Sequence, residues 1–160
     1  MNQHLIKNAG EVAVNAMESM PEFEKKSIQI LRYANDLFER DHWSNLPLSI
    51  KNLFSNQFSR YLISDLICLL ATHYLRPIVR HHPNCLCVGA DENVFANLLR
   101  LSLEDHKNEA KILSSLLIKS EQIETLSKKA KVVAFLIDED IKATMRESKR
   151  TQIIYDNQLH

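Results

Sequence analysis

Glycine and proline are scarce in this chain, which has two glycines and four prolines among 160 residues. Sheets need turns, and turns rely on glycine for unusual φ angles and on proline for a fixed one. Gly10 and Gly89 are also too few to build a glycine-rich phosphate-binding loop. The scarcity therefore favours a helical fold and argues against nucleotide binding through a loop of that kind.

An excess of charge of either sign is also missing, because 20 basic residues balance 20 acidic ones. No global field would draw such a protein to nucleic acid or to an anionic membrane. The longest uncharged apolar stretch, residues 66–75, is about half the length that spans a bilayer. Residues 1–7 lack the apolar core of a signal peptide. The sequence thus predicts no nucleic-acid partner, no membrane span and a cytoplasmic location, where cysteines stay reduced.

Motifs of common hydrolases are absent, since the chain contains neither Gly-x-Ser-x-Gly nor His-Glu-x-x-His. The cysteine count is three, so at least one thiol stays outside any pairing within the chain. These absences favour a protein that is not an enzyme, and they predict no cofactor.

Apolar residues recur at steps of three and four along most of the chain, a pattern typical of amphipathic helices. The expected helices cover residues 3–18, 20–41, 47–54, 56–76, 91–103 and 105–119, with a last one from 120 to 145 or beyond. In the second helix, Arg32 falls on the polar side. We predict an all-α single domain, residues 1–147, built as a bundle of six or seven helices with the apolar helix near 56–76 at its centre. Residues 148–160 are expected to be a frayed or partner-held tail.

Residues 81–87, with the sequence His-His-Pro-Asn-Cys-Leu-Cys, hold the most distinctive chemistry. Thiolates and imidazoles are the ligands that zinc prefers, so this loop is a candidate zinc site. The candidate ligands are His81, His82, Cys85, Cys87 and, from a later part of the chain, His106. Their spacing is not that of a common zinc finger. The ordinary interpretation is that the cysteines anchor a loop while the histidines lie beside a solvated helix end.

The same two thiols support a redox interpretation. Basic neighbours such as Arg80, His81 and His82 favour the thiolate, which is the reactive form. A disulfide between Cys85 and Cys87 would close a small ring with restrictive geometry. A cysteine nucleophile with a histidine base is a further alternative, although no nucleophile motif accompanies it.

Aromatic residues are the candidate anchors for a partner protein, because they often dominate the energy of interfaces. The candidates are Trp43, Phe54, Phe58 and Tyr61, and the ordinary interpretation is that they fill the core. We therefore expect a non-enzymatic interaction module, such as an adaptor, a chaperone-like secretion accessory or a regulatory subunit. Its partner would be another protein or a second copy of the chain. The alternative is a metal-binding or thiol-redox protein that uses the loop from His81 to Cys87.

Overall fold

The computed structural model describes residues 15–36 and 46–158, and it confirms the prediction of an all-α bundle. The chain begins with β1 (Asn15–Ala16) and a 3-10 helix (Met17–Ser19). The helices are α1 (Glu22–Arg32), α2 (Leu48–Ser55), α3 (Gln57–His73), α4 (Ala90–Leu103), α5 (Lys107–Leu117) and α6 (Ile123–Gln158). A second short strand, β2 (Cys87–Val88), precedes α4, and a 3-10 helix (Ser120–Gln122) precedes α6.

The first two predicted helices differ most from the structure. The end of the expected helix 3–18 forms β1 and a 3-10 helix, because its backbone pairs with β2 in an antiparallel register that joins Ala16 to Cys87. The rest of that prediction, residues 3–14, lies outside the described residues. The expected helix 20–41 ends at Arg32, and Asn35 and Asp36 follow in a turn. Short polar side chains such as these compete with helical backbone hydrogen bonds.

α6 packs against all five of the other α-helices described here, α1 to α5. Its buried stripe includes Ala130 and Ala134, whose small side chains let neighbouring helices approach closely. α3 was expected at the centre, but it packs mainly along α6 and α2 and leaves its other side exposed. Its buried residues are Ile63, Leu66, Ile67 and Leu70, which recur at helical spacing. α6 therefore packs against more of the helices than α3 does.

Ion pairs fix two helices against α6. Lys26 of α1 binds Asp140, and Asp65 of α3 binds Lys129. The end of α3 is tied to the segment after α5 as well, because Lys119 donates its backbone N–H to the carbonyl of His73 at 3.0 Å. The bond between Lys119 and His73 lies where the long connection between α3 and α4, residues 74–89, begins.

The last helix continues well beyond its packed part. α6 runs to Gln158 and so includes residue 148, where the predicted tail begins. Burial changes earlier, because residues 142–154 are all exposed. Within the part of the chain that the structure describes, no helix combines the length and apolar character needed to cross a membrane.

Candidate functional site

The connection between α3 and α4 is anchored by two acidic residues in the first turn of α4. Asp91 accepts hydrogen bonds from both terminal nitrogens of Arg76, at 2.8 and 2.7 Å, and from the backbone N–H of Val79 at 2.8 Å. Asp91 is buried whereas the Arg76 side chain is largely exposed. The carboxylate therefore fixes the start of the connection from beneath.

Glu92 fixes the middle and the end of the same connection. Its carboxylate accepts the backbone N–H groups of His81 and Gly89, each at 2.9 Å. It also accepts Nε and Nη2 of Arg32, at 2.7 and 2.9 Å. The side chains of Arg32 and Glu92 are both fully buried, with 0% exposure. Buried ion pairs are stable only when further hydrogen bonds satisfy their remaining groups, and here such bonds are present.

Arg32 also binds the backbone of the two cysteines. Its Nη1 donates to the carbonyl of Cys85 and its Nη2 to the carbonyl of Cys87, each at 2.6 Å. The guanidinium thus binds a carboxylate and two loop carbonyls at once, as its planar array of donors allows. The sequence placed Arg32 on a solvated face, and the structure corrects this, because the residue is only 5% exposed.

The two carboxyl groups titrate below their ordinary range. Burial alone would raise the pKa of Glu92, but hydrogen bonds from Arg32, Gly89 and His81, with the charge of Arg32, hold it below its usual value. Burial would likewise raise the pKa of Asp91, but bonds from Arg76 and Val79, with the charge of Arg76, hold it below its usual value. Both groups are therefore carboxylates at neutral pH.

A disulfide joins Cys85 and Cys87, whose Cα atoms lie 5.4 Å apart. This separation lies within the range that a disulfide can bridge. The finding differs from the expectation of reduced thiols, because the turn of the loop brings the two side chains together. Between them, Leu86 is 61% exposed, and its carbonyl accepts the N–H of Met17 at 2.8 Å. The third cysteine, Cys68, is an exposed free thiol.

The proposed zinc ligands do not converge in this conformation. Among residues 15–36 and 46–158, no three His, Cys, Asp or Glu side chains form a group that could hold a metal ion. Cys85 and Cys87 bind each other, and Nδ1 of His81 lies 3.2 Å from a Glu92 oxygen. His82 is exposed and accepts the N–H of Asn84, while His106 lies at the start of α5. The zinc interpretation gains no support from this geometry.

The aromatic interaction candidates fall into three groups. Phe54 is 3% exposed and belongs to the core, as its ordinary interpretation predicts. Phe58 and Tyr61 are each 66% exposed on α3. Trp43 lies outside the described residues.

α6, which packs against α3, also carries exposed apolar side chains. Val132 and Phe135 are 44% and 55% exposed, Val132 lies in a groove with Leu62 and Asp65 of α3, and Phe135 stands one turn after Val132. A shallow groove between the two helices is lined by Leu62, Asp65, Lys128, Lys129 and Val132. We call the surface formed by Phe58, Tyr61, Val132 and Phe135 the α3–α6 face. The α6 half of this face was not predicted, although apolar residues at both 132–133 and 135–136 exceed what a single buried stripe needs.

No protein-family model, curated protein or solved structure matches the chain. Two features of the structure are of chemical interest, namely the exposed α3–α6 face and the anchored disulfide loop.

Proposed function

We propose that this protein is a non-enzymatic interaction module that binds a partner protein through the α3–α6 face. The supporting observation is that four large apolar side chains are exposed on two helices that pack against each other, within one helical turn of the groove residues Leu62, Asp65 and Val132. Single exposed apolar residues are ordinary, whereas contiguous apolar patches mark interaction sites. Three of the four, Phe58, Tyr61 and Phe135, are aromatic, the residue type that most often anchors an interface.

The form of the face favours a helical partner. Two adjacent helices leave a shallow groove between them, and an amphipathic helix can lay its apolar side into such a groove. Asp65, Lys128 and Lys129 line one part of this groove and supply polar groups beside its apolar part. We therefore expect the partner to present apolar residues at helical spacing, flanked by polar ones.

Site-specific photocrosslinking in the producing cell tests this proposal. A photoreactive phenylalanine analogue replaces Tyr61 or Phe135 in the face, and Ile112 of α5 serves as the control because it is similarly exposed, at 63%. We expect the two face positions to yield the same crosslinked species and the control position to yield none. A charge in the face, introduced by Phe58→Asp, should abolish that species without changing the melting temperature.

Two outcomes would contradict the proposal. One is crosslinking that is equally frequent at all three positions, and the other is a species that persists in the Phe58→Asp variant. Crosslinking of the purified protein alone to twice its mass would identify the partner as a second copy of the chain.

A further inference from the structure

The backbone around the Cys85–Cys87 disulfide is held by contacts that do not involve its sulfur atoms. Arg32 binds the carbonyls of Cys85 and Cys87, and Met17 donates to the carbonyl of Leu86. Arg32 is itself fixed by Glu92. Breaking the S–S bond would therefore free the sulfurs without releasing the main chain that carries them.

We propose that Cys85 and Cys87 form a redox-active site that exchanges its disulfide with cysteine thiols of another polypeptide. This activity is independent of the α3–α6 face. Because the anchored backbone keeps the two sulfurs close after reduction, their effective concentration stays high and the bond can form again. Exposed disulfides are typically the labile or catalytic ones, whereas structural disulfides resist reduction.

The site is accessible to a substrate chain. Both cysteines are partly exposed, and Leu86 projects between them with 61% of its surface in solvent. An exposed leucine beside the disulfide offers an apolar contact for residues next to a substrate cysteine. The substrate class is thus a pair of thiols in an accessible protein segment.

The hydrogen bonds of the loop distinguish the two sulfurs. The backbone N–H of Cys87 points at Sγ of Cys85, at 3.4 Å. A sulfur that leaves as a thiolate is stabilised by such a donor, since hydrogen bonds to an ionised acceptor are the stronger ones. The geometry therefore favours Cys87 as the sulfur that is attacked and Cys85 as the sulfur that leaves.

The exchange proceeds in two displacements. A substrate thiolate attacks Sγ of Cys87, a new S–S bond forms, and the bonding electron pair of the old one stays on Sγ of Cys85 as a thiolate. The second substrate thiol loses its proton to solvent and attacks the substrate sulfur of the mixed disulfide, which releases Cys87 as a thiolate. Two electrons pass from the substrate to the protein, and the two thiolates take up protons from solvent.

Equilibration with reduced and oxidised glutathione tests the redox activity. Cys68→Ser is the background, since it removes the exposed third thiol. After acid quenching and alkylation, mass spectrometry counts the free thiols. We expect Cys85 and Cys87 to titrate together as a two-electron couple within the range of glutathione mixtures. A disulfide that stays intact in every mixture, or one that never forms, would overturn the proposal.

Mapping of the mixed disulfide tests the assignment of the two sulfurs. Oxidised protein is mixed briefly with reduced glutathione, quenched in acid and digested, and the adduct is located by fragmentation. We expect glutathione on Cys87 in about tenfold excess over Cys85, because the favoured leaving group directs the attack. Equal labelling, or an excess on Cys85, would contradict the assigned direction.

Two variants test the role of the anchors. Met17→Pro removes the N–H that binds the carbonyl of Leu86, and Arg32→Lys removes the forked contact to the other two carbonyls. Each should shift the glutathione equilibrium toward the dithiol by about tenfold, because small displacements of reacting groups carry penalties of this order or larger. Arg100→Lys, at a partly exposed arginine that pairs with Glu104 and Glu24, is the matched control and should not shift it. If Arg32→Lys fails to fold, Met17→Pro decides, and an unchanged equilibrium there would refute the role of the anchors.

Discussion

At the scale of single residues, Arg32 and Glu92 determine the path of the connection between α3 and α4. Their ion pair is fully buried, and its atoms are bonded to backbone groups on both sides of the disulfide loop. A charge left in such a place without its partner is costly, because neither water nor another ion can reach it. The connection therefore depends on this pair far more than on the exposed pairs elsewhere.

Glu92→Gln should lower the free energy of unfolding by about 3 kcal/mol, because it leaves the buried Arg32 guanidinium without its counter-charge. Glu104→Gln is the control, since its pair with Arg100 is exposed and should contribute at most about 1 kcal/mol. Denaturant unfolding followed by circular dichroism measures both. Similar losses in the two variants would show that burial does not govern the strength of these pairs.

Local sequence patterns identified some of these residues and not others. The cluster of histidine and cysteine at 81–87 stands out in the sequence. Zinc sites, redox sites and structural loops use the same residue types, so the sequence alone did not show that the two cysteines form a disulfide. Arg32 could not be identified at all, because its partner Glu92 lies 60 residues away in the chain. Helical periodicity reports which side of a helix is polar on average, and one buried arginine does not alter it.

At the scale of elements, helix periodicity was informative where the packing is regular. α2 and α4 match their predicted ranges to within one residue at each end, since apolar spacing and the acidic start of α4 are local signals. β1 was missed because its pairing with β2 depends on a strand far along the chain. The true length of α6 was left open, because its exposed end lacks an apolar stripe that would extend the pattern.

Removal of residues 148–160 should change the free energy of unfolding by less than about 1 kcal/mol, because residues 142–154 of α6 are exposed and make little packed contact. Ile137→Ala in the packed part of the same helix, at 0% exposure, should cost about 3 kcal/mol. Thermal and denaturant unfolding compare the two. A loss on truncation as large as that of Ile137→Ala would mean that the end of α6 is packed against a partner or another part of the chain.

At the scale of the whole molecule, composition was sufficient to predict the fold class. It did not predict which apolar side chains are exposed on the surface. Scarce glycine and proline, with repeated apolar spacing, predicted the helical bundle that the structure contains. The α3–α6 face arises from side chains on two helices that are distant in sequence. Phe54 and Phe58 illustrate this limit. The two residues are close in sequence, but Phe54 is buried in α2 whereas Phe58 is exposed on α3.

The stability of the molecule should fall in acid. Asp91 and Glu92 have pKa values below their ordinary range in the folded protein, so the unfolded chain binds protons more readily. Their contribution is complete above the ordinary pKa of about 4 and is lost as the pH falls through the lower folded values. We expect the free energy of unfolding to decrease from about pH 5 downward.

Asp91→Asn should reduce this acid dependence, and high salt should not remove the difference, because the carboxylate is buried. Glu124→Gln is the control, since Glu124 also has a lowered pKa but pairs with Lys111 in solvent, where salt screens the interaction. Unfolding measured from pH 2 to pH 7 in 0.5 M salt checks both variants. If the free energy of unfolding depended on pH in the same way in wild type and Asp91→Asn, the buried carboxylate would be excluded as the source of the acid dependence.

The reach of α6 has a hydrodynamic consequence. Its 36 residues extend about 54 Å at 1.5 Å per residue. A compact chain of 160 residues has a radius of gyration of about 15 Å, which corresponds to a sphere roughly 39 Å in diameter. A monomer with such a rod tumbles more slowly than a globule of its mass, so gel filtration will overstate its size. Light scattering or sedimentation equilibrium, which do not assume a shape, are the measurements that can count its subunits.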